Sequence, residues 1–144
     1  MAILKRRSDK VDLLKTVSLF SSLSKRELDE LAKRTDEVTV PAATDLARQG
    51  AAGTQLFVVL DGAVAVRRNN RRVATLGKGE FVGEMSLLDG GPRSATLHTT
   101  TETTVLVMSR HDFSEVLDQM PSVARKILAG MSGRLREADR KLYD

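Results

Sequence analysis

The feature that most limits the fold of this chain is a series of short apolar runs between Asp36 and Met108, separated by turn residues. Candidate strands cover residues 37–40, 45–49, 55–60, 63–68, 71–76, 96–100 and 103–108. Proline, glycine, Asp-Gly and Asn-Asn signals lie between them and mark turns. Short strands at this spacing without intervening helices predict a sandwich or jelly roll.

Helical signals flank the strands on both sides. Residues 24–35 begin with the spacing of a capping box and predict a short helix, and residues 11–20 predict another turn or two. After the strands, Ser109 can cap a short helix, and Pro121 suits the first turn of a long helix over residues 122–142. The prediction is therefore a mainly β protein with helices at both ends.

Length and composition predict one small domain. The chain has 144 residues, 41% of them hydrophobic, which allows a single core. It contains no cysteine, which excludes disulfides and thiolate chemistry, and no apolar run of the roughly 20 residues that span a bilayer. The N-terminus lacks the apolar stretch of a secretion signal, so we expect a cytoplasmic protein without membrane contact. We divide it into a basic N-terminal arm, residues 1–10, and one domain, residues 11–144.

The net charge of +4 comes mainly from two basic clusters. One lies at residues 5–7, and the other places four arginines around Asn69-Asn70, a turn signal that predicts the exposed tip of a hairpin. Charges at such a tip are usually solvated, and the chain lacks an aromatic platform for stacking bases. DNA is therefore an unlikely partner, although duplex binding through the tip is left open.

The segment over residues 81–96 has the features of a ligand cradle. Gly83 allows main-chain amides to approach an anion, and a short helix over residues 84–87 would add free amides. Arg93 supplies a permanent charge with the fork geometry that suits phosphate. Glu84 supplies an acceptor-only carboxylate, which suits a ribose hydroxyl. The alternative is an internal salt bridge between Glu84 and Arg93 across an ordinary loop.

This segment resembles the phosphate-binding cassette of the cyclic nucleotide-binding domain family. The family pattern is Gly-Glu-x-x-Leu, a short turn, then Arg-(Ala/Ser/Thr)-Ala, and it is matched here by Gly83, Glu84, Leu87, Arg93, Ser94 and Ala95. The resemblance extends over residues 11–139 and includes both catabolite activator-like proteins and kinase regulatory subunits. It implies an eight-stranded jelly roll with N-terminal helices, a C-terminal short helix and a long helix.

The resemblance also implies a set of ligand contacts. Glu84 would hold the 2′-hydroxyl of the sugar and Arg93 the cyclic phosphate. The full set of expected ligand-binding residues is Gly83, Glu84, Met85, Ser86, Arg93, Ser94 and Ala95. Candidate base contacts on the long helix are Arg134, Ala138 and Asp139. The activators carry hydroxyl residues where this chain has Ala138 and Asp139, so their pair of contacts to adenine is not reproduced. Cyclic AMP is still the expected ligand from the family at large, with cyclic GMP left open.

The expected output is regulatory, because the resemblance ends with the long helix and leaves no helix-turn-helix domain. We expect the domain to signal through that helix to an effector protein or a second copy. Apolar residues recur there at steps of three and four, as in a coiled-coil seam. The predicted contact is a weak homodimer through Leu128, Met131, Leu135 and Leu142. The alternative is that this stripe packs on the protein's own roll.

An enzymatic function is not expected. Jelly-roll metalloenzymes need two or three histidines with a carboxylate, and this chain has only His98 and His111. We therefore expect no metal and no catalytic residue. The main alternative is non-enzymatic: an interaction module of the same fold with weak or lost nucleotide binding.

Overall fold

The computed structural model describes the chain from residue 7 to residue 143, and its side chains from residue 8 to residue 142. Two helices and a 3-10 helix come first: α1 (Arg7–Lys15), the 3-10 helix (Ser18–Phe20) and α2 (Lys25–Ala32). The strands are β1 (Thr35–Val40), β2 (Asp45–Ala47), β3 (Gln55–Asp61), β4 (Val64–Arg68), β5 (Arg71–Leu76), β6 (Phe81–Val82), β7 (Thr96–Thr99) and β8 (Thr103–Ser109). The remaining helices are α3 (Ser86–Asp89), between β6 and β7, then α4 (Arg110–Gln119) and α5 (Pro121–Tyr143).

The eight strands form two four-stranded antiparallel sheets. Their orders are β1-β8-β3-β6 and β2-β7-β4-β5. The predicted mainly β fold with flanking helices is confirmed. Seven of these strands were predicted from the sequence, whereas β6 was not, because two residues are too few to show an alternating pattern.

Strand β3 lies between two hydrophobic clusters and is buried on both faces. Phe57 and Val59 pack between the sheets, whereas Leu56, Val58 and Leu60 face the helices. A strand covered on both sides needs a continuous apolar run, which is what its sequence shows. The core therefore has two parts, one inside the roll and one between a sheet and the helices.

The local signals for the helices are largely confirmed. Ser24 and Glu27 form both bonds of the capping box, Ser109 accepts from the backbone of Asp112, and α5 begins at Pro121. Helix α2 ends at Ala32, before the predicted end, because the chain enters β1 three residues later. No helix in the described part of the chain is long and apolar enough to cross a membrane.

Two predicted boundaries fall differently in the structure. Helix α1 begins at Arg7, so the second half of the predicted basic arm is helical, while residues 1–6 lie outside the described residues. The predicted helical turn over residues 84–87 is instead α3, Ser86–Asp89. Gly83 has a positive φ of 92°, so the chain turns there before the helix begins.

Candidate functional site

The predicted ligand cradle borders a cavity of about 510 Å³. All seven expected ligand-binding residues line it: Gly83, Glu84, Met85, Ser86, Arg93, Ser94 and Ala95. Val66 and Arg68 of β4, Val82 of β6 and Leu97 of β7 form other parts of the wall. The structure therefore brings all seven expected ligand-binding residues to one cavity, whereas Leu87 of the matched motif packs in the core beside the helices.

Arg93 is the buried charge of this cavity, with only 9% of its surface exposed. Its Nη2 donates to the carbonyl of Gln55, and its guanidinium carbon lies 5.6 Å from the ring centroid of Phe57. Its Nε has no hydrogen-bond partner, and burial lowers the pKa of the guanidinium. Among the described residues no carboxylate forms an ion pair with it. A buried cation without an anion is costly, so this arrangement favours an anionic ligand.

Gly83 makes room for this arginine. A Cβ at position 83 would lie 2.5 Å from the carbonyl oxygen of Gln55 and would also collide with the guanidinium of Arg93. The φ of 92° is itself strained for any residue with a side chain. Glycine is therefore required for both the turn and the path of Arg93 to Gln55.

Glu84 is half-buried and is held by the 3-10 helix rather than by Arg93. Its carboxylate accepts from the hydroxyl of Ser18 at 2.8 and 3.0 Å and from the backbone N–H of Leu19 at 3.0 Å. The alternative of a salt bridge between Glu84 and Arg93 is not what the structure shows. A carboxylate has about four acceptor positions, so Glu84 retains capacity for another hydroxyl.

The far side of the cassette is fixed by backbone bonds. The backbone of Arg93 donates to Ala51 at 2.8 Å and accepts from Gly50 at 2.9 Å. Ser94 is exposed and its carbonyl accepts from Nε of Arg68 at 3.1 Å. The part of the cradle that contains Arg93 and Ser94 is therefore held in position by hydrogen bonds within the protein.

The candidate base contacts on α5 are not brought to the cavity. Arg134, Ala138 and Asp139 are all exposed, and none of them lines its wall. Arg134 instead donates from Nη2 to the carbonyl of Ser18 at 3.0 Å. Contacts from these three residues to a base remain a prediction.

Two polar residues at the site were not found from the sequence. The sequence does carry a signal for Arg68. It follows Val64 and Val66 at alternate positions of β4, so the alternation of a strand places its side chain on the same face of the sheet as theirs. Ser18 gave no such signal, because its contact with Glu84 joins residues 66 positions apart.

Both histidines lie outside the cavity wall and contact carboxylates. Nδ1 of His98 lies 2.7 Å from Asp45, and Nε2 of His111 lies 3.0 Å from Glu115. His111, Asp112 and Glu115 form the one group in the described part of the chain with spacing for a metal ion. Glu115 is also paired with Arg34, whose charge disfavours a cation there.

The fold and the cavity define a jelly-roll domain with a buried arginine at the wall of a cavity. A family model described as "Cyclic nucleotide-binding domain" matches residues 37–120. The chain belongs to the cyclic nucleotide-binding domain family, as the resemblance implied.

Individual relatives agree with this assignment. The chain is 35% identical over 134 residues to a cyclic AMP receptor protein of Thermus thermophilus, covering 90% of this chain and 62% of that protein. It is 36% identical to a cyclic nucleotide-gated potassium channel of Rhizobium etli, covering 85% of this chain and 35% of the channel. The chain thus spans less than two thirds of the length of these relatives.

Two solved structures share this fold over most of their length. The N-terminal domain of a transcriptional regulator from Streptomyces coelicolor A3(2) superimposes with a TM-score of 0.82 at 32% identity, covering 91% of this chain and 95% of that one. A cyclic nucleotide-binding domain from Methylobacillus flagellatus superimposes with a TM-score of 0.72 at 29% identity, covering 96% and 80%. The jelly-roll architecture is therefore shared along nearly the whole chain.

Proposed function

We propose that this domain is a sensor of a purine 3′,5′-cyclic nucleotide, with its phosphate on Arg93 and its ribose 2′-hydroxyl on Glu84. The observation that carries the proposal is the burial of Arg93 at the cavity wall without an anionic partner among the described residues. A phosphodiester would supply that anion and accept charge-assisted hydrogen bonds from the guanidinium. The role is one of binding rather than catalysis.

Cyclic AMP is the proposed ligand. Support comes from the Thermus thermophilus relative, which is named a cyclic AMP receptor protein. Ser94 lies on the cavity wall, and a serine hydroxyl suits a guanine amino group as well as a phosphate, so cyclic GMP is the competing ligand.

Calorimetric titration with cyclic AMP, cyclic GMP and a cyclic dinucleotide tests the proposal. We expect cyclic AMP to bind most tightly. The 2′-deoxy form of cyclic AMP should bind about 10-fold more weakly, because a hydrogen bond to a half-buried carboxylate contributes roughly 1 to 3 kcal/mol. No heat with any of the three cyclic nucleotides would favour the interaction-module alternative, and equal affinity for both sugar forms would contradict the role of Glu84.

We propose that the binding signal passes through the 3-10 helix to α5. Ser18 joins the two, because its hydroxyl donates to Glu84 and its carbonyl accepts from Arg134 of α5. A ribose hydroxyl on the remaining acceptor position of Glu84 would pull on the same carboxylate that holds Ser18. Any shift of Ser18 would then change the contact that holds α5 at Arg134.

The proposed output is a weak homodimer through α5. The first turns of the helix are anchored, since Val123 and Ile127 are buried, but Leu128, Leu135 and Leu142 are 65%, 72% and 79% exposed. The alternative that the stripe packs on the protein's own roll therefore does not describe these three leucines, but it does describe Met131, the fourth residue of the predicted seam, which is partly buried against the core. A second copy offering the same stripe would bury them in an antiparallel or parallel pair.

Sedimentation velocity and amide exchange, each with and without cyclic AMP, test this output. We expect the ligand to tighten the dimer and to slow exchange over residues 128–142. A monomer in both conditions at high micromolar concentration would contradict the dimer. Unchanged exchange in α5 would contradict the signalling route.

A further inference from the structure

Arg68 is a second cation at the wall of the cassette cavity, outside the motif that defines the family resemblance. It lies on β4, two residues after Val66, and both side chains border the cavity. Unlike Arg93 it is exposed, so it sits where the cavity meets solvent.

The guanidinium of Arg68 is fixed at one end and free at the other. Its Nε donates to the carbonyl of Ser94 at 3.1 Å, which places it beside the residue that follows Arg93. Among the described residues, its two terminal nitrogens have no acceptor and the side chain has no ion pair. Arg68 can therefore donate two further hydrogen bonds next to the phosphate side of the cradle.

The hairpin that carries Arg68 has four arginines on facing strands. Arg68 is directly opposite Arg71, and Arg67 is opposite Arg72. Like charges directly opposite each other destabilise a pair of strands. In the part of the chain that the structure describes, none of these four arginines forms an ion pair, so an anion in the cavity would relieve the repulsion at Arg68.

The hairpin is also held in place relative to the cavity. The amide of Gln49 donates to the side chain of Asn69 at 2.9 Å and accepts from its backbone N–H at 2.9 Å. These paired bonds fix the hairpin tip, which has φ of 54° and 65° at Asn69 and Asn70. Arg68 therefore needs little further ordering to contact a ligand.

Part of the hydrogen-bonding capacity of Arg93 is already used inside the protein. One of its terminal nitrogens already donates to Gln55, and its Nε is the one buried side-chain nitrogen or oxygen in the described structure without a hydrogen-bond partner. A cyclic phosphodiester has two exocyclic oxygens that share one negative charge. We propose that Arg68 binds the exocyclic oxygen that Arg93 does not, so that two guanidinium groups hold the phosphate. This inference rests on the proposed function.

Phosphorothioate forms of cyclic AMP test the inference, because the Rp and Sp diastereomers replace one exocyclic oxygen each by sulfur, a weaker acceptor. Titrations compare cyclic AMP and both diastereomers on the wild type, Arg68→Ala and Arg71→Ala. Arg71 is the matched control, since it is opposite Arg68 and carries the same charge but does not line the cavity.

We expect Arg68→Ala to weaken cyclic AMP by about tenfold, in line with the loss of a hydrogen bond to a charged group, and Arg71→Ala by about twofold or less. In Arg68→Ala the penalty for sulfur should disappear for one diastereomer and persist for the other. Equal effects of the two substitutions would show that Arg68 acts only through the positive electrostatic potential of the hairpin, and this would overturn the proposed contact. Unchanged penalties for both diastereomers would also overturn it.

The two proposals fail in different ways. If the wild type binds no cyclic nucleotide, the proposed function is wrong and the role of Arg68 is wrong with it. If the wild type binds and Arg93→Ala does not, while Arg68→Ala behaves like Arg71→Ala, only the role of Arg68 is wrong. Arg68 is exposed, so circular dichroism should show an unchanged fold in its variant.

Discussion

Glu27 connects the N-terminal helices to α5, and its charge should be measurable as a contribution to stability. Its side chain is only 4% exposed and accepts from the backbone of Ser24 at 2.8 Å, the hydroxyl of Ser122 at 2.6 Å and Nζ of Lys126 at 2.6 Å. Burial alone would raise the pKa of this carboxyl. Together, the hydrogen bonds from these donors outweigh the effect of burial and lower the pKa from 4.5 to about 2.

The change in pKa gives the size and the sign of the effect. Lowering the pKa from 4.5 to about 2, at about 1.4 kcal/mol per pKa unit, corresponds to roughly 3 kcal/mol of folding free energy. Lys126 is 41% exposed and its attraction is screened by water, so we expect on the order of 2 kcal/mol. Because the folded pKa is the lower one, this stability is present above pH 4.5 and is lost as the pH falls toward 2.

Urea unfolding of the wild type and Glu27→Gln at pH 7 and pH 3 measures this contribution. The variant should be less stable by about 2 kcal/mol at pH 7, and the difference should shrink by about half or more at pH 3. Glu30→Gln, on the exposed side of the same helix, is the matched control and should change stability little at either pH. A difference for Glu27→Gln that is the same at both pH values would refute the assigned pKa and its cause.

Three further substitutions test the site and its connection to α5. Gly83→Ala should abolish cyclic nucleotide binding, because the added methyl group would collide with Arg93. Gly79 has a similar φ of 85° but open space around it, so Gly79→Ala should retain binding in calorimetry. Equal loss of binding in both variants would contradict the steric argument. Ser18→Ala should change cyclic AMP affinity by about threefold or less but abolish the ligand-induced slowing of amide exchange in α5, and a preserved response would rule out the route through Ser18. Leu135→Glu should abolish the dimer in sedimentation without altering the affinity for cyclic AMP, and an intact dimer would contradict the seam.

The parts of the fold that could be predicted from the sequence are those with a signal in neighbouring residues. The continuous apolar run of β3, the Asn69-Asn70 turn and the capping box at Ser24 each report a local preference that the structure retains. Strand β6 was missed because its two residues are paired through β3 and carry no pattern of their own. Its assignment depends on a contact distant in sequence.

The candidate site could be predicted only in part, for the same reason. The segment from Gly83 to Ala95 is continuous in sequence, so its seven expected ligand-binding residues were found together, and the structure brings these seven to one cavity. The partners of Glu84 and Arg93 are distant in sequence, at Ser18 and Gln55, and no local pattern indicates them. The contacts that hold the two functional side chains therefore had to come from the structure.

The central claim is that Arg93 pairs with the phosphate of a cyclic nucleotide, and titration of cyclic AMP into wild type and Arg93→Ala tests it most directly. Loss of the counter-charge of a buried anion costs roughly 2 to 5 kcal/mol, so affinity should fall by about tens to thousands of fold. The variant should keep its fold, because no described carboxylate depends on this arginine. Wild-type affinity in a folded Arg93→Ala protein would contradict the account.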